Sequence, residues 1–136
     1  MTAFRELLKT EILGATVSAL HLSTASCFLR IPSWLMNEAE LFENEKVRIW
    51  HPASARAFDA YVQSNPNDGN DVSISGILTQ YVKQGDQIHI TSFIHVSEVE
   101  AQQYEAKRIH LNAENEMSEE SLEVRGPLFY STQKTV

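Results

Sequence analysis

What most constrains this chain is how briefly any one hydrophobic period lasts. Val47-Arg48-Ile49-Trp50 and Ala57-Phe58-Asp59-Ala60-Tyr61-Val62 read as strands, parted by the turn-prone His51-Pro52-Ala53-Ser54. Val72-Ser73-Ile74-Ser75 alternates strictly and stops at Gly76. After the turn signal Gln84-Gly85-Asp86, Ile88 to Val96 alternates apolar residues with His89, Thr91 and His95. Only two helices stand out. Pro32-Ser33-Trp34-Leu35 opens the first, near 33–41, with Leu35, Met36, Ala39 and Leu41 available to face a core. The second begins at Ser97, where the spacing to Glu100 predicts a capping box, and runs to about Lys107; Arg108 to Leu111 follows as a strand. Many short strands with little helix imply an all-β-dominated small barrel, not a parallel α/β sheet.

The chain has 136 residues, enough for one hydrophobic core and too few for two. With 18 Asp and Glu against 11 Lys and Arg, the net charge is -7, which argues against nucleic acid or an anionic membrane as partner. The single cysteine, Cys27, permits no internal disulfide and suits a reducing compartment. Ile12 to Leu29 carries no formal charge, but its Ser and Thr residues, His21 and Gly14 make it too polar for a bilayer. A lipoprotein signal ending at Cys27 is opposed by Glu6, Glu11 and the lack of a continuous apolar stretch, so a cytoplasmic location is expected. Residues 1–117 read as the folded domain. The acidic run Glu116, Glu119, Glu120 and Glu123 marks 118–136 as a solvated tail.

Most constellations that carry chemistry are missing. The five histidines are scattered, and His89 and His95 stand too far apart for one ion, so no metal is expected. There is no phosphate-binding glycine loop and no dinucleotide fingerprint. What remains is distributed: Lys9, Leu20-His21, Ala25-Ser26-Cys27, Glu43-Asn44-Glu45 followed by Ile49-Trp50, Phe58-Asp59-Ala60-Tyr61, and Asn115-Glu116-Met117. Over residues 4–117 this pattern resembles the pyruvoyl-dependent aspartate 1-decarboxylases.

The resemblance implies a six-stranded double-psi β-barrel with short helices, a homotetramer with active sites between subunits, and a cofactor made by the chain itself. The Ser26 hydroxyl would attack the Ala25 carbonyl, and the resulting ester would eliminate across Cα–Cβ. Hydrolysis would then leave a pyruvoyl group starting chain 26–136, with 1–25 as a companion peptide. Its ketone would form a Schiff base with a small amino acid and accept the electrons left by carbon dioxide. In the family this turns L-aspartate into β-alanine, for pantothenate biosynthesis. The same resemblance makes Tyr61 the proton donor, assigns Lys9 to the substrate carboxylate, and puts Ala60, Gly76, Ile77 and Leu78 around the substrate.

Departures from the family pattern are specific. Its glycine before the serine is Ala25, and the threonine that assists cleavage is Ala60. The carboxylate-binding arginine falls on Ala57, with Arg56 one position early and so expected on the opposite strand face. The loop asparagine is Ser75, the two small residues after the glycine are Ile77 and Leu78, and the tyrosine after the histidine is Leu22. These changes predict a more apolar pocket. Two alternatives therefore stand beside aspartate decarboxylation: the same chemistry on a less acidic substrate, or an unprocessed relative that binds a ligand or partner.

Overall fold

A computed structural model describes residues 3–66 and 69–119. Among them the chain forms, in order, β1 (Phe4–Thr16), β2 (Ala19–His21), β3 (Phe28–Ile31), α1 (Ser33–Glu38), β4 (Lys46–His51), β5 (Arg56–Ser64), β6 (Ser73–Ser75), β7 (Gln87–Ser97), α2 (Glu98–Ala101) and β8 (Lys107–His110). The strands expected near 47, 57, 72, 88 and 108 are all present, and the protein is strand-dominated. All eight strands join one mixed sheet in the order β2-β6-β3-β5-β4-β7-β1-β8.

That order forces the sheet to curl. β1 and β2 are six strand spacings apart, roughly 29 Å across a flat sheet. Yet only Val17 and Ser18 join them, a link that spans at most roughly 11 Å. The ends of the sheet must therefore meet. Hydrogen bonds along the seam agree, from Ser18 N to Val72 O at 2.7 Å and from Val17 N to Asp86 O at 2.9 Å. Asn115 closes the seam further, accepting from Thr16 N at 2.7 Å and donating to the carbonyls of Thr16 and Asn70. The enclosed core takes Ile12, Leu29, Ile49, Val62, Ile74, Ile90 and Ile109 from seven of the strands, all buried. Their burial removes apolar surface from water on every side of the curl, which is what holds it closed.

Two features were not legible beforehand. β1 is the longest strand, but its pairing with β7 slips at Leu8/Thr10 and again at Ile12/Ala15, so no period of two survives in its sequence. The second slip is where Gly14 adopts φ +80, a left-handed conformation that side chains resist.

The helices differ in length from the expectation. α1 ends at Glu38, although Leu35, Met36, Ala39 and Leu41 are buried as anticipated. The capping box at Ser97 forms, with Glu100 N donating to Ser97 Oγ at 3.2 Å. The helix that follows nonetheless lasts one turn instead of reaching Lys107. It buries none of its residues and leaves Val99 exposed, so no packing drives propagation beyond the nucleus. Of the expected tail at 118–136, everything from residue 120 lies outside the described residues.

Candidate active site

Strand β6 lies between β2, which runs parallel to it, and β3, which runs antiparallel. Ser75 is registered with His21 on one side and with Phe28 on the other. The segment from Leu22 to Cys27 therefore passes over the end of β6, where Gly76 sits. Contact there is through backbone. A Cβ on Gly76 would stand 2.7 Å from the Ser26 carbonyl oxygen and 2.8 Å from Cys27 Cα, and Gly76 has φ +101. Only glycine fits that position without displacing main chain. From the opposite side, Tyr61 N donates to Cys27 O at 3.0 Å, and the Tyr61 ring packs against Phe28 at 5.9 Å between centroids. Ser26 is exposed, Cys27 is buried, and Ala25 N is held by Ser23 Oγ at 3.0 Å.

Gly76 and Tyr61 thus both meet the Ser26–Cys27 main chain, and a recess of about 90 Å³ near them is lined by His21, Phe28, Arg30, Ser73 and Ser75. The other residues singled out in the sequence are distributed differently. Ile77 is exposed beside Gly76, while the side chains of Ala60 and Leu78 are buried in the core. Lys9 donates to Glu45 Oε2 at 3.0 Å and to the Glu40 carbonyl at 2.7 Å. Glu45 O in turn accepts from Val62 N, so the Lys9 ion pair stands beside the strand that carries Tyr61, without a hydrogen bond to Tyr61 or Ser26.

A larger cavity of about 700 Å³ opens on the outer face of β1, β7, β4 and β5. Its walls are apolar: Leu8, Leu13, Trp50, Ala57 and Phe93. Trp50 is fixed by Nε1 donating to Thr91 Oγ1 at 3.0 Å. On one side Glu11, itself nearly buried, accepts from Arg108 Nε at 2.8 Å. The two residues are 97 positions apart, and β1 and β8 align them side by side in parallel register. No local signal in the sequence points to this pair.

Arg56 and Ala57 both border this cavity, but on opposite strand faces as expected: β5 pairs Ala57 with Trp50 and Arg56 with His51, and the Arg56 guanidinium goes to the side of Phe58. The Arg56 guanidinium lies 4.4 Å from the centroid of Tyr81, whose ring packs on Phe58.

Two histidines are held near the cavity. His51 is buried and bridges Ser54 Oγ at 2.6 Å and Asp86 Oδ2 at 2.8 Å. The Lys83 backbone amide, aided by His51, holds the Asp86 carboxyl below its usual range. His89 accepts from Gly14 N at Nδ1, 3.0 Å away, which requires the neutral ring. Burial lowers its pKa against the opposing pull of Glu11, and nearby His110 lowers it further.

The sequence as a whole matches a known family. A family model described as aspartate decarboxylase matches residues 3–118, and the chain belongs to that family. It is 32% identical to the aspartate 1-decarboxylase of Xylella fastidiosa (strain Temecula1 / ATCC 700964) over 112 residues, 82% of this chain and 88% of that protein. The aspartate 1-decarboxylase of Leptothrix cholodnii is 29% identical over 125 residues, covering 91% and 94% of the two chains. That of Rhodopirellula baltica is 23% identical over 126 residues, covering 93% and 80%.

Proposed function

We propose that this protein is a self-processing, pyruvoyl-dependent decarboxylase of a small amino acid, similar to aspartate 1-decarboxylase. The observation that carries the reading is the backbone contact of Gly76 with Ser26 and Cys27, a cradle that any Cβ would fill. It holds the serine main chain against β6, while Tyr61 N fixes the next carbonyl. Such restraint is what a residue that must attack its own preceding carbonyl requires, because the reacting atoms must be held close in a fixed orientation. The curled sheet is read as the family's double-psi barrel, and the working form as a homotetramer in the cytoplasm.

The pyruvoyl group formed from Ser26 supplies the electron sink for decarboxylation. The chain does the rest. Tyr61, half exposed with its ring set against Phe28, is read as the group that returns the proton. Gly76 leaves room for the substrate backbone, and exposed Ile77 flanks it. Lys9 can receive a substrate carboxylate by exchanging it for that of Glu45, one charge-assisted bond for another. The buried side chain of Ala60 supplies no hydroxyl to the cleavage step. An oxyanion donor of that kind is commonly worth about 3 kcal/mol, or roughly a hundredfold in rate or more. A cut made once per chain tolerates that loss.

The apolar cavity wall at Ala57 and Trp50 favours a second reading, the same chemistry on a less acidic substrate. Intact-mass measurement during prolonged warm incubation tests the common step. Fragments split before residue 26 are expected, forming slowly in the native chain and faster in Ala25→Gly, whose site is exposed and tolerates the change. Ala60→Thr should also accelerate cleavage if the core accepts the added volume. A single full-length mass in the native chain and in a folded Ala25→Gly chain would refute self-processing and leave a ligand-binding, unprocessed relative.

A further inference from the structure

Most cations of this chain are already matched. Arg5, Arg48 and Arg108 pair with Glu98, Asp59 and Glu11, Lys9 pairs with Glu45, and Arg56 stacks on Tyr81. Arg30 is different. It is exposed on β3 and has no ion pair, hydrogen bond or ring contact from its side chain among the described residues. It borders instead the recess of about 90 Å³, together with His21, Phe28, Ser73 and Ser75. Among the described residues no carboxylate lines that recess.

The pleat explains how these side chains meet. Arg30 is registered with Ser73, while Phe28 and His21 flank Ser75 on either side. Leu29, Ile31 and Ile74 alternate with them and are buried in the core, so Phe28, Arg30, Ser73 and Ser75 share the outer face. Ser73 forms the floor of the recess. It is only 7% exposed, and its hydroxyl makes no hydrogen bond among the described residues. A hydroxyl so far removed from water is costly unless something in the recess supplies its partner. The side chains of Ser75 and His21 have no hydrogen-bond partner among the described residues either.

Donors from three strands thus border one recess: the ring of His21 on β2, two hydroxyls on β6 and a guanidinium on β3. A planar carboxylate presents its two oxygens in a single plane. A tetrahedral oxyanion presents oxygens toward all three strands, and its charge suits the arginine fork. The volume admits one such group and little more. We propose that this recess binds a phosphate group, free or at the end of a small monoester, with Arg30 as its principal ligand and the Ser73 hydroxyl as its donor from below. The site lies close to the serine site, since Phe28 follows Cys27 and Ser75 precedes Gly76. The binding itself does not depend on processing at Ser26.

The test uses the full chain, as purified and with Ser26→Ala, in a phosphate-free buffer at low ionic strength. Inorganic phosphate and methyl phosphate are titrated by calorimetry and by thermal denaturation. Acetate serves as the planar control, and sodium chloride matches the ionic strength. Phosphate should bind saturably at one site per chain and raise the melting temperature, whereas acetate should bind more weakly by roughly tenfold. Arg30→Gln should weaken phosphate binding by roughly tenfold, the loss of one charge-assisted contact, and leave the melting temperature of the unliganded chain in place. Arg30→Lys should restore part of the affinity, and Ser73→Ala should lower it several-fold. Binding of both phosphates supports the site and assigns it to a monoester end group; binding of inorganic phosphate alone supports it and assigns it to the free ion. No saturable binding, acetate held as tightly as phosphate, or an affinity unmoved by Arg30→Gln would each overturn the proposal. Because cleavage is assayed separately by mass, failure here and failure of the processing mechanism are told apart.

Discussion

The serine site and the large cavity are built by opposite means. Around Ser26 the close contacts are main chain on main chain: the Gly76 backbone against Ser26 and Cys27, and an amide of β5 on a carbonyl just before β3. The side chains there, Tyr61, Ile77 and Leu22, are substantially exposed. Around Trp50 the surface is made of side chains, and most of the polar ones are tied to a partner. The first arrangement fixes the path of a peptide; the second fixes the shape and charge of a surface. Substitutions at residue 76 should therefore act through chain path, and substitutions in the cavity through polarity.

The largest effect is expected on the cavity side. Arg108→Met leaves Glu11 with a nearly buried charge and no partner, at a cost of about 3–5 kcal/mol. Chemical denaturation should show that loss, and adding Glu11→Gln should recover most of it. A stable Arg108→Met chain would mean that the pair is not the electrostatic support of this face. Gly76→Ala should cost somewhat less, about 2–3 kcal/mol, through a positive φ and a Cβ pressed on backbone. It should also stop cleavage before residue 26 in whatever fraction folds. Unchanged stability and unchanged processing would break the contrast drawn here. The smallest effect is a pH dependence. The His89 pKa in the fold lies below its unfolded value of 6.5, so the unfolded chain takes up the proton first. This contribution to stability is complete above about pH 6.5 and declines as pH falls below it. His89→Gln should flatten that portion of a stability–pH curve, and an unaltered slope would show that burial of His89 is not its source.

Much of the fold was legible where one face of a strand meets water. β4 and β5 alternate in sequence because they alternate in burial, β7 does so only as far as Ile90, and the Ser97 cap followed from a local hydrogen-bonding pattern. β1 was not legible, since two register slips destroy its period and Glu11 is buried within it by a partner 97 residues away. At the site, the spacing of Ser26, Tyr61 and Gly76 carried through to proximity. The roles of Leu78 and Arg56 were harder to place from strand or loop position. A short 3₁₀ turn buries Leu78, and the Arg56 guanidinium is taken up by Tyr81, a residue 25 positions away in sequence.

The two-residue link between β1 and β2 has a consequence for the life history of the molecule. Residues 3–25 include a strand hydrogen-bonded to both β7 and β8 and another paired with β6, with Ile12, Ala15 and Val17 in the core. A cut before Ser26 would not free this piece; it would convert one polypeptide into two that remain interlocked. Unfolding would then separate them, and recovery would become a second-order encounter, slower in dilute solution. The native chain and its cut product could be equally rigid when folded and still differ in whether either returns after denaturation.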